Sequence, residues 1–558
     1  MSLSMAVLLA AIGACAAWTP AASAAPRSRT TPAAAAAHHV LVEASVPTRA
    51  GARLAGGRVS IRVTRPARLE RRTGDGWTTD RSSRTDRSGR VVFSVPSSAV
   101  PVAYRVTAPA RKVVLSKRRG GDVVRRTVRL APWTGPVRTV GGGGTPDAGQ
   151  QPTQQPAQQP ATTELLRVHP DGSGHIGAGS AEISASGRWV AFETNEDIAP
   201  LDDNGGWDVY LHDRETGATE LASRTTSGES GAGASFWPRI SPDGRFVVFQ
   251  SYAEDLASDD TNEASDVFIF DRETETVELV SRTATEVGSW HSGFADVSAD
   301  GRYVVFDTMA DNLRPDTPSG DTQVVRVDRW TGEIRAVSWP YLEPASGSSS
   351  RPAISDDGQR VVFTSDASDL VARDDNGAPD VFIRDLATWT LRAVSRAPSR
   401  STASGRSEEA RISGDGSTVA FTSDAFDLVA DDDNDVNDVF RYDVAQRQTS
   451  LLSRTPGGRP GNAGSHGAAV SGDGRAIAFV SIATDLSPGA GRSQIYLVES
   501  GRPPELVSTG LSGLPGDGGA AYPSLGADGH LVAFRSDSGD LVPGTEAGVN
   551  RFFVRRRP

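Results

Sequence analysis

The chain has 558 residues, 37% of them apolar, and a formal net charge of −11, enough for two or three domains with a core in each, which excludes one small domain. The charge is unevenly divided, about +18 over residues 26–140 and about −29 over residues 141–558, and so acidic a larger part excludes nucleic acid as its partner. A single cysteine, Cys15, and eight histidines without metal-ligand spacing exclude a disulfide framework and a zinc enzyme.

The N-terminus reads MSLSMAVLLAAIGACAAWTPAASAAP. Its apolar stretch is too short to span a bilayer and leads to Ala22-Ser23-Ala24, so residues 1–25 are expected to be a signal peptide and the protein to be exported. Ile12-Gly13-Ala14-Cys15 is similar to a bacterial lipobox, which leaves open a lipoprotein anchored through Cys15, beside soluble secretion and an uncleaved anchor. The expected location is secreted or cell-surface.

Residues 38–132 alternate apolar and polar side chains in short runs such as RVSIRVT, RVVFSV and VAYRVT, broken by turn residues such as Gly74-Asp75-Gly76. This predicts a small all-β domain. The segment ARLERRTGDGW…TDRSGRVVFSVP…YRVTAP resembles bacterial immunoglobulin-like modules, which implies a β-sandwich. Its arginines would suit anionic wall polymers or the acidic part of the same chain; a solvated charged surface is the other reading. Residues 133–162, rich in Gly, Gln and Pro, predict an extended linker.

From residue 163 to 558 the chain repeats. EISASGRWVAFET, RISPDGRFVVFQS, DVSADGRYVVFDT, AISDDGQRVVFTS, RISGDGSTVAFTS, AVSGDGRAIAFVS and SLGADGHLVAFRS align on Ile183, Ile240, Val297, Ile354, Ile412, Val470 and Leu525, spaced by 57, 57, 57, 58, 58 and 55 residues. Each unit predicts four strands, the first two joined at an Asp-Gly turn, and seven such units predict a seven-bladed β-propeller. The last unit lacks a fourth strand, whereas TELLRVH at 163–169 is a strand without a blade. Pairing it beside residues 551–556 would close the ring as a clasp and remove two exposed edges.

The unit I-S-x-D-G-R-x-V-x-F … D-V-F … D … L-V-S-R resembles the TolB-type, WD40-like propeller repeat. The resemblance covers residues 163–558 and implies a partner-binding platform. This chain departs from that family in its immunoglobulin-like rather than α/β N-terminal domain and in longer, acidic repeats.

No GxSxG nucleophile elbow occurs, so a serine peptidase is not expected. Four units carry DxNxxxD before the third strand: Asp202-Asn204-Asp208, Asp260-Asn262-Asp266, Asp374-Asn376-Asp380 and Asp432-Asn434-Asp438. Oxygen ligands at this spacing resemble part of a calcium loop; Asp and Asn capping turn amides is the competing reading. Aromatic residues gather in loops of the same face: Trp207, Phe236, Trp237, Trp290, His291 and Phe294, then Trp339 and Tyr341. They suit a protein hot spot or a sugar platform, or else they fill gaps between blades. The residues expected immediately before each inner strand include Glu182, Arg239, Asp296 and Arg411, which should ring the channel mouth either as ion pairs or as a ligand funnel.

The expected function is an exported, non-catalytic binding scaffold, with an envelope or extracellular protein, a wall polymer or a glycan as partner. It touches membrane only through its signal or lipid anchor, and needs no cofactor, calcium being the one candidate. A propeller-centred hydrolase or lyase acting on glycans is the alternative.

Overall fold

The computed structural model describes the backbone of strands between residues 39 and 140, with a few of their side chains, and residues 161–558 apart from 170–173, 175–178, 314–319, 341–344, 399–401 and 500. The expected signal peptide, Cys15 and most of the linker therefore lie outside the described residues. The chain divides into two compact units, residues 1–155 and 156–558. Among the described residues no helix is long and apolar enough to cross a membrane.

The described residues of the first unit are all in β-strands. Pro66–Thr73, Gly76–Arg84, Val102–Ala108, Trp133–Thr134 and Arg138–Val140 form one antiparallel sheet, and three further strand pairs accompany it. Buried Leu69 and Val106 face each other across two of its strands.

The second unit is a propeller-type array of seven four-stranded antiparallel sheets, each in the order first, second, third, fourth strand. The sheets are numbered here by their first strands: Ala181–Ile183, Ser235–Ile240, Ser292–Val297, Ser349–Ile354, Ser407–Ile412, Ser465–Val470 and Ala520–Leu525. The seventh takes its fourth strand from Thr162–Leu165, which pairs antiparallel with Arg551–Arg556. Leu166 extends the pairing by donating its amide to the Phe552 carbonyl at 2.9 Å.

The repeat motif is one hydrogen-bonded corner. In the second sheet the Ser241 hydroxyl donates to Asp243 Oδ1 at 2.7 Å and accepts the Phe246 amide at 2.9 Å, while the same Asp243 oxygen accepts the Arg245 amide at 3.0 Å. Gly244 has φ +73°, and a Cβ there would stand 2.3 Å from the Trp189 ring, so glycine is required twice over. Arg245 then forks onto Asp271 at the end of the third strand, at 2.8 and 2.7 Å; Arg188 on Asp213 and Arg302 on Asp328 repeat the pair. These bonds tie the first turn to the far end of the third strand in the first three sheets, which is why G-R and the later D recur together there.

The second and third strands are buried on both faces, which explains their unbroken apolar runs. Ala191, Val209 and Leu211 of the first sheet pack on Val247, Phe249, Phe268 and Phe270 of the second, and the stacked pair Phe249–Phe268 (5.9 Å) has equivalents such as Phe363–Phe382 and Phe421–Phe440.

The first strands of successive sheets touch one another, and the last touches the first. A belt of backbone bonds runs beside them at the turn end. Ala185 N reaches Pro242 O (3.0 Å), Ala299 N reaches Asp356 O (3.0 Å), Asp356 N reaches Gly414 O (2.9 Å), Asp415 N reaches Gly472 O (3.0 Å), Asp473 N reaches Ala527 O (3.0 Å) and Ala527 N reaches Ala185 O (2.9 Å). The junction between second and third sheets has no such bond from Pro242, which has no amide hydrogen to give.

Candidate functional site

The acidic loops form a latch. In each copy the Asn side-chain NH2 donates to the second Asp and to a carbonyl of the next inter-sheet loop: Asn204 to Asp208 (3.0 Å) and Gly231 O (2.7 Å), Asn262 to Asp266 (2.7 Å) and Gly288 O (2.6 Å), Asn376 to Asp380 (2.7 Å) and Ala403 O (2.8 Å), Asn434 to Asp438 (2.9 Å) and Gly461 O (2.7 Å). The other oxygen of the second Asp accepts a serine hydroxyl, from Ser223, Ser281, Ser395 or Ser453. The Asn oxygen accepts a backbone amide two residues on.

This donor set does not fit calcium. The Asn presents nitrogen, not oxygen, to its Asp, and the second Asp has both oxygens engaged. Asp202, Asp260 and Asp432 each keep one buried oxygen without a partner, whereas Asp374 accepts Thr402 at 3.2 Å; a single such oxygen in three of the loops falls short of the six to eight ligands that calcium takes. Among the described residues no group of three or more His, Cys, Asp or Glu side chains could hold a metal. Burial pushes the Asp208 and Asp438 carboxyls up to about 6 and those of Asp266 and Asp380 up to about 7.

The expected aromatic residues separate into four places. Trp207 is half-buried against Phe236 at 5.9 Å. Trp290 is 58% exposed and sits beside His291, whose ring accepts the Ser265 amide at 3.0 Å and meets Tyr252 edge-on. Trp339 corrects the expectation of a surface site: it is 3% exposed, following the fourth strand of the third sheet, with its carbonyl held by the buried Arg384. Tyr341 lies outside the described residues.

Trp237 belongs to a different arrangement. In the second to seventh sheets the first strand bulges against the second, so that two residues face one. The bulge places Trp237, Phe294, Arg351, Glu409, Gly467 and Tyr522 in the left-handed region, with φ of 55°, 45°, 52°, 56°, 62° and 53°. Five of these are not glycine, and each such residue costs roughly 1–3 kcal/mol of strain that its surroundings must hold in place.

The holding groups come from the neighbouring sheet. Glu193 accepts the Trp237 amide, Asp307 accepts the Arg351 amide at 2.9 Å, and Glu409 accepts the Gly467 amide at 3.0 Å. Burial raises the Glu193 carboxyl and lifts that of Asp307 to about 7.

The side chains join in the same direction. Trp237 lies 5.6 Å from Phe294, the Arg351 guanidinium stands over Phe294 at 5.3 Å, and Arg351 reaches Glu409 at 3.9 Å. On the other side the Arg535 guanidinium stands over Tyr522 at 4.7 Å and donates to Gly179 O of the first sheet at 3.3 Å. The result is a rim around the first strands with aromatic residues on the seventh, second and third sheets, an ion pair on the fourth and fifth, and Gly467 on the sixth.

Glu182, Arg239, Asp296 and Arg411 come together, but within the first strands rather than before them, two residues beyond the rim. They form its floor. Arg239 pairs with Glu182, whose other oxygen accepts Ser524 at 2.7 Å, and Asp296 accepts the amides of Val297 and Ile354, both at 2.9 Å. Arg411 is half-buried, its pKa lowered to about 10 by burial and by Arg239, against the pull of Glu182 and Asp296. A residue of the fifth sheet thus senses charges on the first, second and third sheets, and all four side chains stay half-buried.

Sequence reasoning missed Arg351, Glu409, Gly467 and Tyr522. The signal was available: the third residue before each apolar anchor reads Ser180, Trp237, Phe294, Arg351, Glu409, Gly467 and Tyr522, a position that varies completely inside a strict repeat.

No family model matches the chain, and no curated protein matches it. Among solved structures, a TolB protein from Agrobacterium tumefaciens is similar at 14% identity, with 55% of this chain and 93% of that one covered and a TM-score of 0.33. A prolyl endopeptidase is similar at 12% identity over 70% of this chain and half of that one (TM-score 0.43), and a chain of a mitotic checkpoint complex at 12% over 74% and 97% (TM-score 0.38). The propeller assignment therefore stands on the sheet order and the contacts between first strands.

Proposed function

We propose that the chain is an exported binding scaffold whose second unit is a seven-bladed propeller, closed by Thr162–Leu165 as a clasp, and that its ligand or partner is received at the rim of the first strands. The observation that carries the proposal is the repeated positive φ of five non-glycine residues around one opening, strain that persists without serving the core. The first unit, read as an immunoglobulin-like module, serves as spacer or wall-docking element, and export by the signal peptide or a lipid on Cys15 delivers both to the cell surface.

Binding is favoured over catalysis by what the rim carboxylates do. Glu193 and Asp307 accept bulge amides, so they position backbone, whereas cleavage of a glycosidic bond needs an acid and a second carboxylate free to face substrate. The test is capture of envelope or extracellular partners by the full chain and by its Trp237→Ala, Tyr522→Ala and Trp290→Ala variants. Capture lost in the first two and kept in the third supports the rim; capture indifferent to all three refutes it. Turnover of a glycan by the full chain would favour the hydrolase or lyase reading.

A further inference from the structure

The rim is amphipathic around its circumference, and its charges are already matched. The Phe294 ring carries the Arg351 guanidinium and the Tyr522 ring carries that of Arg535. Two of the three rim aromatic residues therefore hold a cation, so the rim is no cage for a cationic ligand. Arg351 is offset by Glu409, and the floor holds two acids and two bases, Arg239 paired with Glu182, so its charges balance and favour no anion.

What stays open is flat aromatic surface, with Trp237 and Tyr522 each 41% exposed, next to a guanidinium–carboxylate pair that can donate to and accept from adjacent hydroxyls. Behind the aromatic rim, two residues further along the first strands, a ligand meets charged side chains, with Arg239 and Glu182 paired there. Gly467 leaves a notch in the rim.

We infer that the rim takes the terminal unit of a neutral saccharide, end-on, with the sugar's C–H face on Trp237 and its hydroxyls on Arg351 and Glu409. This rests on the rim being the binding site, and names its ligand class.

The test titrates the full chain with maltotetraose, cellotetraose and N-acetylchitotetraose, followed by tryptophan fluorescence and calorimetry, with each sugar also capped at its non-reducing or its reducing end. The expected result is micromolar to millimolar binding of at least one sugar, abolished by capping one end and not the other. Binding should weaken tenfold or more in Trp237→Ala and Tyr522→Ala, and in Gly467→Phe, which fills the notch at a φ that neighbouring sheets already give to large residues. Trp290→Ala should bind as the parent does, and melting curves of all variants establish that they fold. Binding indifferent to both caps overturns end-on recognition. If no sugar binds while Trp237→Ala and Tyr522→Ala still lose partner capture, the saccharide class falls and the rim stands; if capture too is unaffected, the rim falls with it.

Discussion

Glu409 accepts the amide of Gly467 from the next sheet at 3.0 Å while its other oxygen faces Arg351 of the preceding one at 3.9 Å. One side chain thus links three consecutive sheets. Glu409→Ala strands the Gly467 amide and frees Arg351, and the cost of leaving a half-buried donor unmet is about 1–3 kcal/mol. Glu409→Gln keeps an acceptor for the amide and should lose less than half of that. Urea unfolding of the three chains measures the difference.

The latch carboxyls have a pH signature. Burial raises Asp266 to about 7 against about 3.9 for an unfolded aspartate. A raised folded-state pKa contributes stability that is fully present below the unfolded value and is lost as pH rises through about 7. Asp266→Asn cannot ionise, so its stability should fall less than the parent's between pH 5 and pH 8, in urea titrations at the two pH values. An equal fall in both chains refutes the shift. Carboxyls held low, such as Asp213 at about 2 beside Arg188, act in the opposite sense on the acid side and cancel in the comparison.

Because the acidic loops are hydrogen-bonded latches, calcium should not stabilise the fold. The melting temperature in excess chelator and in millimolar calcium is expected to agree within about 1 °C. A rise of several degrees with calcium would show that the loops rearrange to bind it.

Leu166→Pro removes the amide that bonds Phe552 O and displaces a buried side chain at the junction of chain ends. The expected loss is roughly 3 kcal/mol or more, from an unmet carbonyl and lost packing. Thr163→Ala deletes only the 2.9 Å bond from Arg555 and should cost about 1 kcal/mol or less. Similar losses for both would mean that this strand contributes little to closure.

The period and the strand order were legible in the sequence because each sheet has the same backbone demands: glycine after the turn, arginine to reach the aspartate, unbroken apolar runs where both faces are covered. Trp339 was misplaced because an aromatic residue at a junction reads alike whether it faces solvent or, as here, the interior. DxNxxxD gives the same spacing for a metal loop and for a latch, and the two differ only in which side of the Asn amide faces the Asp. The rim was hardest to see because nothing in it repeats. Trp237 was picked out for being aromatic, whereas its partners Arg351, Glu409 and Gly467 share no chemistry with it and are joined only by a bulge that alternation does not reveal.

In the second to seventh sheets the bulge puts whichever side chain it carries at the same height on the same opening, and the turn, the Arg–Asp corner and the core lie elsewhere. At Trp237, Arg351 and Gly467 a substitution meets the neighbour's carboxylate through its amide, which every residue except proline offers. Trp237, Arg351 and Gly467 can therefore be rewritten one at a time without renegotiating the fold, and a lineage of such chains can change what it recognises while its framework stays fixed.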